Sequence, residues 1–117
     1  MKHIFLDMDG VLFPFYANDK QLNIDIFPDG FYINKKPLKT IRNYLKKQYA
    51  ENAKCKFYIL SASPKGKFDV EKYNWLAKYY DFISKDNWYI IRWKEEDKID
   101  ILEDICRDKK LKKEKVY

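Results

Sequence analysis

Apolar residues gather in three short runs, Ile4-Phe5-Leu6, Phe57-Tyr58-Ile59-Leu60 and Trp88-Tyr89-Ile90-Ile91-Arg92-Trp93. Runs this short and nearly continuous suit strands covered on both faces. Between and after them the pattern changes to helical spacing. Pro37 opens a stretch in which Leu38, Ile41, Leu45 and Gln48/Tyr49 recur on one side, with Lys and Arg between. Asp69 precedes a second stretch whose Tyr73, Leu76, Ala77 and Tyr80 share a face, and Asp97 precedes a third with Ile99, Leu102, Ile105 and Cys106. Alternation of buried strands with amphipathic helices predicts an α/β domain with a mainly parallel sheet. One further pair of strand-like runs, Leu22 to Phe27 and Phe31 to Asn34, flanks Pro28-Asp29-Gly30 and predicts a β-hairpin.

The first run leads straight into Asp7-Met8-Asp9-Gly10-Val11. Residues two apart on an extended backbone point the same way, so Asp7 and Asp9 are expected to project together from the strand's carboxyl end, with Met8 turned away. Gly10 then lets the chain leave sharply. Two converging carboxylates repel in an apolar setting unless a cation or hydrogen-bond donors compensate, and Mg2+, which prefers oxygen ligands, is the natural cation. The competing reading of the same residues is an Asp-Gly turn after an edge strand.

An apolar strand followed by Asp-Met-Asp-Gly-Val resembles the first motif of the haloacid dehalogenase-like (HAD) phosphatases, D-x-D-G-[VT]. The resemblance implies a Rossmannoid three-layer fold, a nucleophilic role for Asp7, a general acid and base role for Asp9, and Mg2+ held by both. It extends along the chain. Ser61, closing the second strand, matches the family's second motif, whose hydroxyl bonds the phosphoryl oxygens. Lys98, in the first turn of the last helix, matches the third-motif lysine, with Lys72 as its competitor and Arg92 as a helper at the substrate. The hairpin, within residues of about 13–35, matches the family's flap, and Phe15 and Tyr16 then either line a substrate slot or pack the flap onto the body. Glu71-Lys72-Tyr73-Asn74-Trp75-Leu76 is similar to the E-K-Y-x-W-V run of the deoxyribonucleotidase branch, which points to a small phosphorylated substrate of nucleotide type; Trp75 itself is expected in the core.

The resemblance covers nearly the whole chain but only three of the family's four motifs. The fourth, an acid after a further strand, has no counterpart, since Asp100, Glu103, Asp104, Asp108 and Glu114 fall in a helix or its basic tail. The expectation is therefore a single domain over residues 1–117 that lacks the family's C-terminal strand. Two consequences follow: weaker cation binding, and an Asp7 strand left as an open edge through which a homodimer could form. A catalytically weak fragment or a phosphate- or partner-binding module is the alternative to an enzyme.

Composition narrows the remaining choices. A hydrophobic fraction of 46% and 21 aromatic residues are enough for a real core. No run approaches the roughly eighteen apolar residues of a membrane helix, and no signal-peptide pattern opens the chain, so no membrane partner is expected. Two cysteines, Cys55 and Cys106, without metal or disulfide spacing, fit reduced thiols and a cytoplasmic protein. His3 is the only histidine and is expected to be structural, which disfavours histidine-based catalysis. Net charge is uneven: residues 1–34 carry −3 and residues 35–117 carry +9. A basic remainder can attract an anionic substrate. No recognised nucleic-acid motif accompanies it, so nucleic acid is not the expected partner.

Overall fold

The computed structural model describes residues 1–15, 28–64, 66–93 and 96–117, apart from the side chain of Glu114. Three strands, β1 (Lys2–Leu6), β2 (Cys55–Ser63) and β3 (Trp88–Arg92), form one parallel sheet in the order β1-β2-β3. Leu6 pairs with Ile59 and Ile59 with Trp88, so β2 is central and extends past β1 at its carboxyl end. The helices are α1 (Lys39–Glu51), α2 (Gly66–Tyr79) and α3 (Lys98–Asp108). The chain is thus a small α/β domain with a Rossmann-like alternation of strand and helix.

Strand parity decides what each face meets. Ile4, Leu6, Phe57, Ile59, Trp88 and Ile90 point to one side, where they join Leu45 of α1 and Phe68, Trp75 and Leu76 of α2 in the main core. His3, Phe5, Asp7, Tyr58 and Tyr89 point to the other, where α3 lies: Lys109, just after α3, reaches the rings of Tyr58 and Tyr89. Both faces of β2 are therefore covered, which is why Phe57 to Ser61 are all buried.

Aromatic rings fill much of the core. Trp75 is fully buried, as expected, with Phe13 edge-on at 5.1 Å and Tyr80 stacked at 5.6 Å. Its indole N–H donates to the Lys35 carbonyl, tying α2 to the chain before α1.

The amphipathic stripes are narrower than their sequence spacing suggests. In α1 only Leu45 is buried, while Ile41 and Tyr49 stand largely in solvent. Tyr73 of α2 and Ile99 of α3 are exposed too. A three-stranded sheet is too narrow to cover a whole helical stripe, so the edges of each stripe stay wet.

Leu22 to Phe27, the first arm of the expected hairpin, and Tyr16 lie outside the described residues. Phe31 to Asn34, the second arm, is not a strand but a run of turns in which Asn34 N–H returns to the Gly30 carbonyl and Lys35 N–H to that of Tyr32. The physical reason is a half-buried acceptor opposite this segment, Glu71, which takes the backbone donors a strand partner would have used.

The free edge of β1 is partly covered by the chain itself. Tyr117 N–H donates to the His3 carbonyl at 2.7 Å and Phe5 N–H to the Tyr117 carbonyl at 2.8 Å, a parallel pairing. Lys110 makes the reversal that brings this segment back: it adopts φ 58°, and Leu111 N–H reaches the Cys106 carbonyl. No helix among the described residues is long and apolar enough to cross a membrane.

Candidate functional site

β1 ends at Leu6, and the next five residues fold into a tight turn. Met8 is buried, its N–H donates to Asp7 Oδ1 at 2.7 Å, and its carbonyl accepts from Val11 and Leu12. Gly10 has φ +75°, the left-handed conformation that the Asp-Gly pair suggested. With Met8 anchored in the core, Asp7 and Asp9 are held at the carboxyl end of the sheet.

Each carboxylate meets a lysine, and the two lysines come from opposite layers. Lys98, the first residue of α3, places Nζ 3.0 Å from Asp7 Oδ2, and both side chains are about two-fifths exposed (40%). Asp97 fixes the start of that helix by accepting the Ile99 N–H, as expected for its N-cap. Lys72, from the middle of α2, places Nζ 3.2 Å from Asp9 Oδ1, yet its own side chain is fully buried. The sequence left Lys98 and Lys72 as competitors for one role; the structure brings both to the site, at different carboxylates.

Lys72 is held by more than its ion pair. Its ammonium donates to Ser61 Oγ at 2.9 Å and to the Ala62 carbonyl at 2.6 Å, and it lies 4.6 Å from the centre of the Tyr32 ring. Ser61 thus sits beside the carboxylates, wholly buried, with its oxygen accepting from Lys72. Asp9 Oδ1 stands at ion-pair distance from Lys72 but has no hydrogen-bond partner among the described residues. Burial pushes the Asp9 carboxyl above the usual range, the neighbouring Lys72 opposes that shift and Asp7 adds to it. Burial likewise lowers the proton affinity of Lys72, with Asp9 opposing.

Glu71 was legible only as part of a short similarity, and its role comes from the fold. One carboxylate oxygen accepts the N–H groups of Tyr32 and Ile33, at 2.9 and 3.1 Å, and the other accepts Gly30 N–H at 3.0 Å. This clamp fastens the 30–33 turn to α2 and seats Tyr32 against Lys72, the next residue. A signal for Lys72 was present in the sequence: Phe68, Lys72, Trp75 and Leu76 follow the core spacing of one helix face, and a lysine at such a position needs a buried partner.

The weaker candidates are placed as follows. Arg92 forms a two-pronged ion pair with Asp69, at 2.9 and 3.3 Å, and reaches the Ser63 carbonyl, so its guanidinium braces β3 against α2. Phe15 is half-buried, edge-on to Phe31 at 6.3 Å, with Lys35 above both rings. Among the described residues no third His, Cys, Asp or Glu joins Asp7 and Asp9 in a metal-binding group.

Chemically, the arrangement offers one accessible carboxylate beside an ammonium, a second carboxyl with raised proton affinity, and a buried hydroxyl and ammonium behind them. No protein-family model matches the chain, and no curated protein matches it in sequence.

Proposed function

We propose that this chain is a phosphate-monoester hydrolase of the haloacid dehalogenase-like type. The observation that carries the reading is the pair Asp7 and Asp9 at the exit of β1, each facing a lysine from a different helical layer. Asp7 is accessible and its two oxygens are oriented, one by Met8 N–H and one by Lys98. In-line attack by an Asp7 oxygen on phosphorus forms the O–P bond of an aspartyl phosphate and breaks the bond to the leaving alcohol, which takes the Asp9 proton. Asp9 then removes a proton from water, whose oxygen attacks phosphorus, releasing inorganic phosphate and regenerating Asp7. A carboxyl with raised proton affinity suits both halves of that exchange. In this reading Lys98 meets the negative charge on the phosphoryl oxygens, while the buried Lys72 and Ser61, bonded to each other, act from behind the carboxylates.

Mg2+ is commonly held by one or two carboxylates together with substrate oxygens, and Asp9 Oδ1, which faces Lys72 at 3.2 Å but makes no hydrogen bond among the described residues, is an oxygen that could serve it. Asp7 and Asp9 would hold the ion, which supplies charge neutralisation at the phosphoryl group. A small phosphorylated substrate of nucleotide type remains the favoured class, supported by the Glu71 to Leu76 similarity and by Phe15, which lies near Gly10 and meets the Phe31 ring edge-on.

A second reading, a binding module without turnover, is favoured by the absence of a third acid among the described residues and by the two lysines that already balance both carboxylates. Steady-state hydrolysis of an aryl phosphate and of nucleoside monophosphates, with and without Mg2+, separates the two. Turnover that needs Mg2+ and disappears in Asp7→Asn supports the hydrolase. Mg2+ or phosphate binding without turnover supports the module.

A further inference from the structure

We propose that the end of the sheet opposite the carboxylates docks the phosphodiester backbone of a single-stranded nucleic acid. The inference rests on how charges are placed in the fold and is independent of the reading of Asp7 and Asp9.

In a parallel sheet all strand amino ends lie together. Lys2 opens β1, Lys54 and Lys56 open β2, and Lys85 precedes β3, so these residues gather at one end of the molecule. Residues 109–115, five lysines against one glutamate, follow α3 and must finish at the same end, because Val116 and Tyr117 are pinned to His3 and Phe5. Glu51, Asp81, Asp86 and Asp108 come to this end too, but with Glu114 they are five acids against nine lysines, so the positive excess seen along the sequence becomes a positive pole.

The two ends treat their cations differently. At the carboxyl end four basic groups are matched: Lys67 with Asp29, Lys72 with Asp9, Arg92 with Asp69 and Lys98 with Asp7. At the amino end, among the described residues, Lys2, Lys56 and Lys109 have no carboxylate within ion-pair distance. They rest instead on rings and a neutral oxygen. Lys56 and Lys109 approach the Tyr58 ring at 5.6 and 5.8 Å, Lys109 donates to Asn87 Oδ1, and Lys2 lies 5.6 Å from the Tyr117 ring. His3, hydrogen-bonded to the Tyr58 hydroxyl at 2.9 Å, has its proton affinity lowered by burial and then by Lys56 and the amino terminus, as expected in an uncompensated positive field.

Cations that converge in excess of their counter-ions repel one another, and an incoming anion relieves that cost. A phosphodiester chain presents single negative charges at intervals and can engage several such lysines at once. Tyr117 is exposed, with Lys2 over one face of its ring, and the other face is one on which a base can stack, which favours a single strand over a duplex.

The test is fluorescence anisotropy with labelled dT20 and U20 oligonucleotides across a salt series. If four phosphates are engaged, the log–log slope is about −2.8, and affinity falls about fifty-fold between 50 and 200 mM salt. The double variant Lys56→Gln/Lys109→Gln should lose at least tenfold in affinity at low salt. The exposed pair Lys112→Gln/Lys113→Gln should lose affinity with an unchanged thermal midpoint. Lys36→Gln/Lys67→Gln, two exposed positions where the chain enters α1 and α2 at the carboxyl end, removes the same charge there and should bind like the parent, as should Asp7→Asn. Absence of binding to either oligonucleotide at 20 mM salt, equal losses from both ends, or binding to anionic phosphatidylserine vesicles alone would each overturn the proposal.

Discussion

The ammonium of Lys72 lies 3.2 Å from Asp9 although the lysine side chain is fully buried, whereas Lys98 makes the equivalent contact with Asp7 in partial solvent. The two pairs look alike in distance and differ in surroundings, and that difference sets their energetics. A buried charge that loses its partner is costly, while an exposed pair is screened and contributes little.

Lys72→Met should therefore destabilise the fold by roughly 2–4 kcal/mol at pH 7, and Lys98→Gln by less than about 1 kcal/mol. Removing Lys72 also removes the group that holds Asp9 down, so the folded-state proton affinity of Asp9 rises further. A group whose folded pKa is raised contributes stability at low pH and loses it as pH rises through that value. The Lys72→Met deficit should accordingly shrink as pH falls toward the ordinary carboxylate range. Urea unfolding of both variants at several pH values checks this; equal costs at all pH would refute it. Both variants should lose turnover if the proposed hydrolysis is right.

Glu71 satisfies three backbone N–H groups, a load that an uncharged or shortened side chain cannot carry. Glu71→Ala should cost about 3 kcal/mol and Glu71→Gln, which keeps one acceptor oxygen, about 1–2 kcal/mol. Thermal unfolding should rank them parent, Gln, Ala. A Gln variant as stable as the parent would show that the charge adds nothing to the clamp.

Tyr80 is wholly buried, its hydroxyl has no partner among the described residues, and burial pushes its pKa up to about 12. Tyr80→Phe removes an unsatisfied polar atom and should stabilise the fold by about 1 kcal/mol. The folded protein keeps this proton where the unfolded chain, at its ordinary value of 10.0, gives it up. Stability from this group is thus lost as pH climbs from that value toward 12, and the advantage of Phe should widen there. Denaturation curves at pH 8 and pH 11 measure the difference; a parent that stays level with Phe at both would contradict it.

Lys110 ends α3 in the left-handed region, at φ 58°, the place where glycine is favoured. Lys110→Gly relieves the clash of its Cβ and should stabilise by about 1 kcal/mol, since the left-handed penalty exceeds the added freedom of the unfolded chain. Scanning calorimetry would read this as a higher midpoint. A lower midpoint would mean that the side chain of Lys110 contributes more than its strain costs.

Much of the architecture is local information. Short apolar runs fixed where strands lie, helical spacing and Asp97 marked the helices, and Asp-Gly marked the turn after Asp9, because burial pattern, capping and backbone freedom act over a few residues. Asp7 and Asp9 were legible for the same reason, standing two apart at a strand exit; Ser61 and Lys98 were named through the family resemblance, and they meet the carboxylates because strand exits and helix starts converge in a parallel sheet. What depends on distant parts of the chain was decided by tertiary structure alone. Lys72 joins the site because α2 packs its core face on the sheet beneath Asp9, and a period of 3.6 cannot say what lies opposite. Phe31 to Asn34 turn rather than extend because Glu71, far along the sequence, takes their N–H groups. Val116 and Tyr117 lie along β1 because the turn at Lys110 sends them there, and the same return path collects the lysines at the sheet's amino end. Sequence patterning records which residues seek burial or a turn; only packing determines which charges they meet when they arrive.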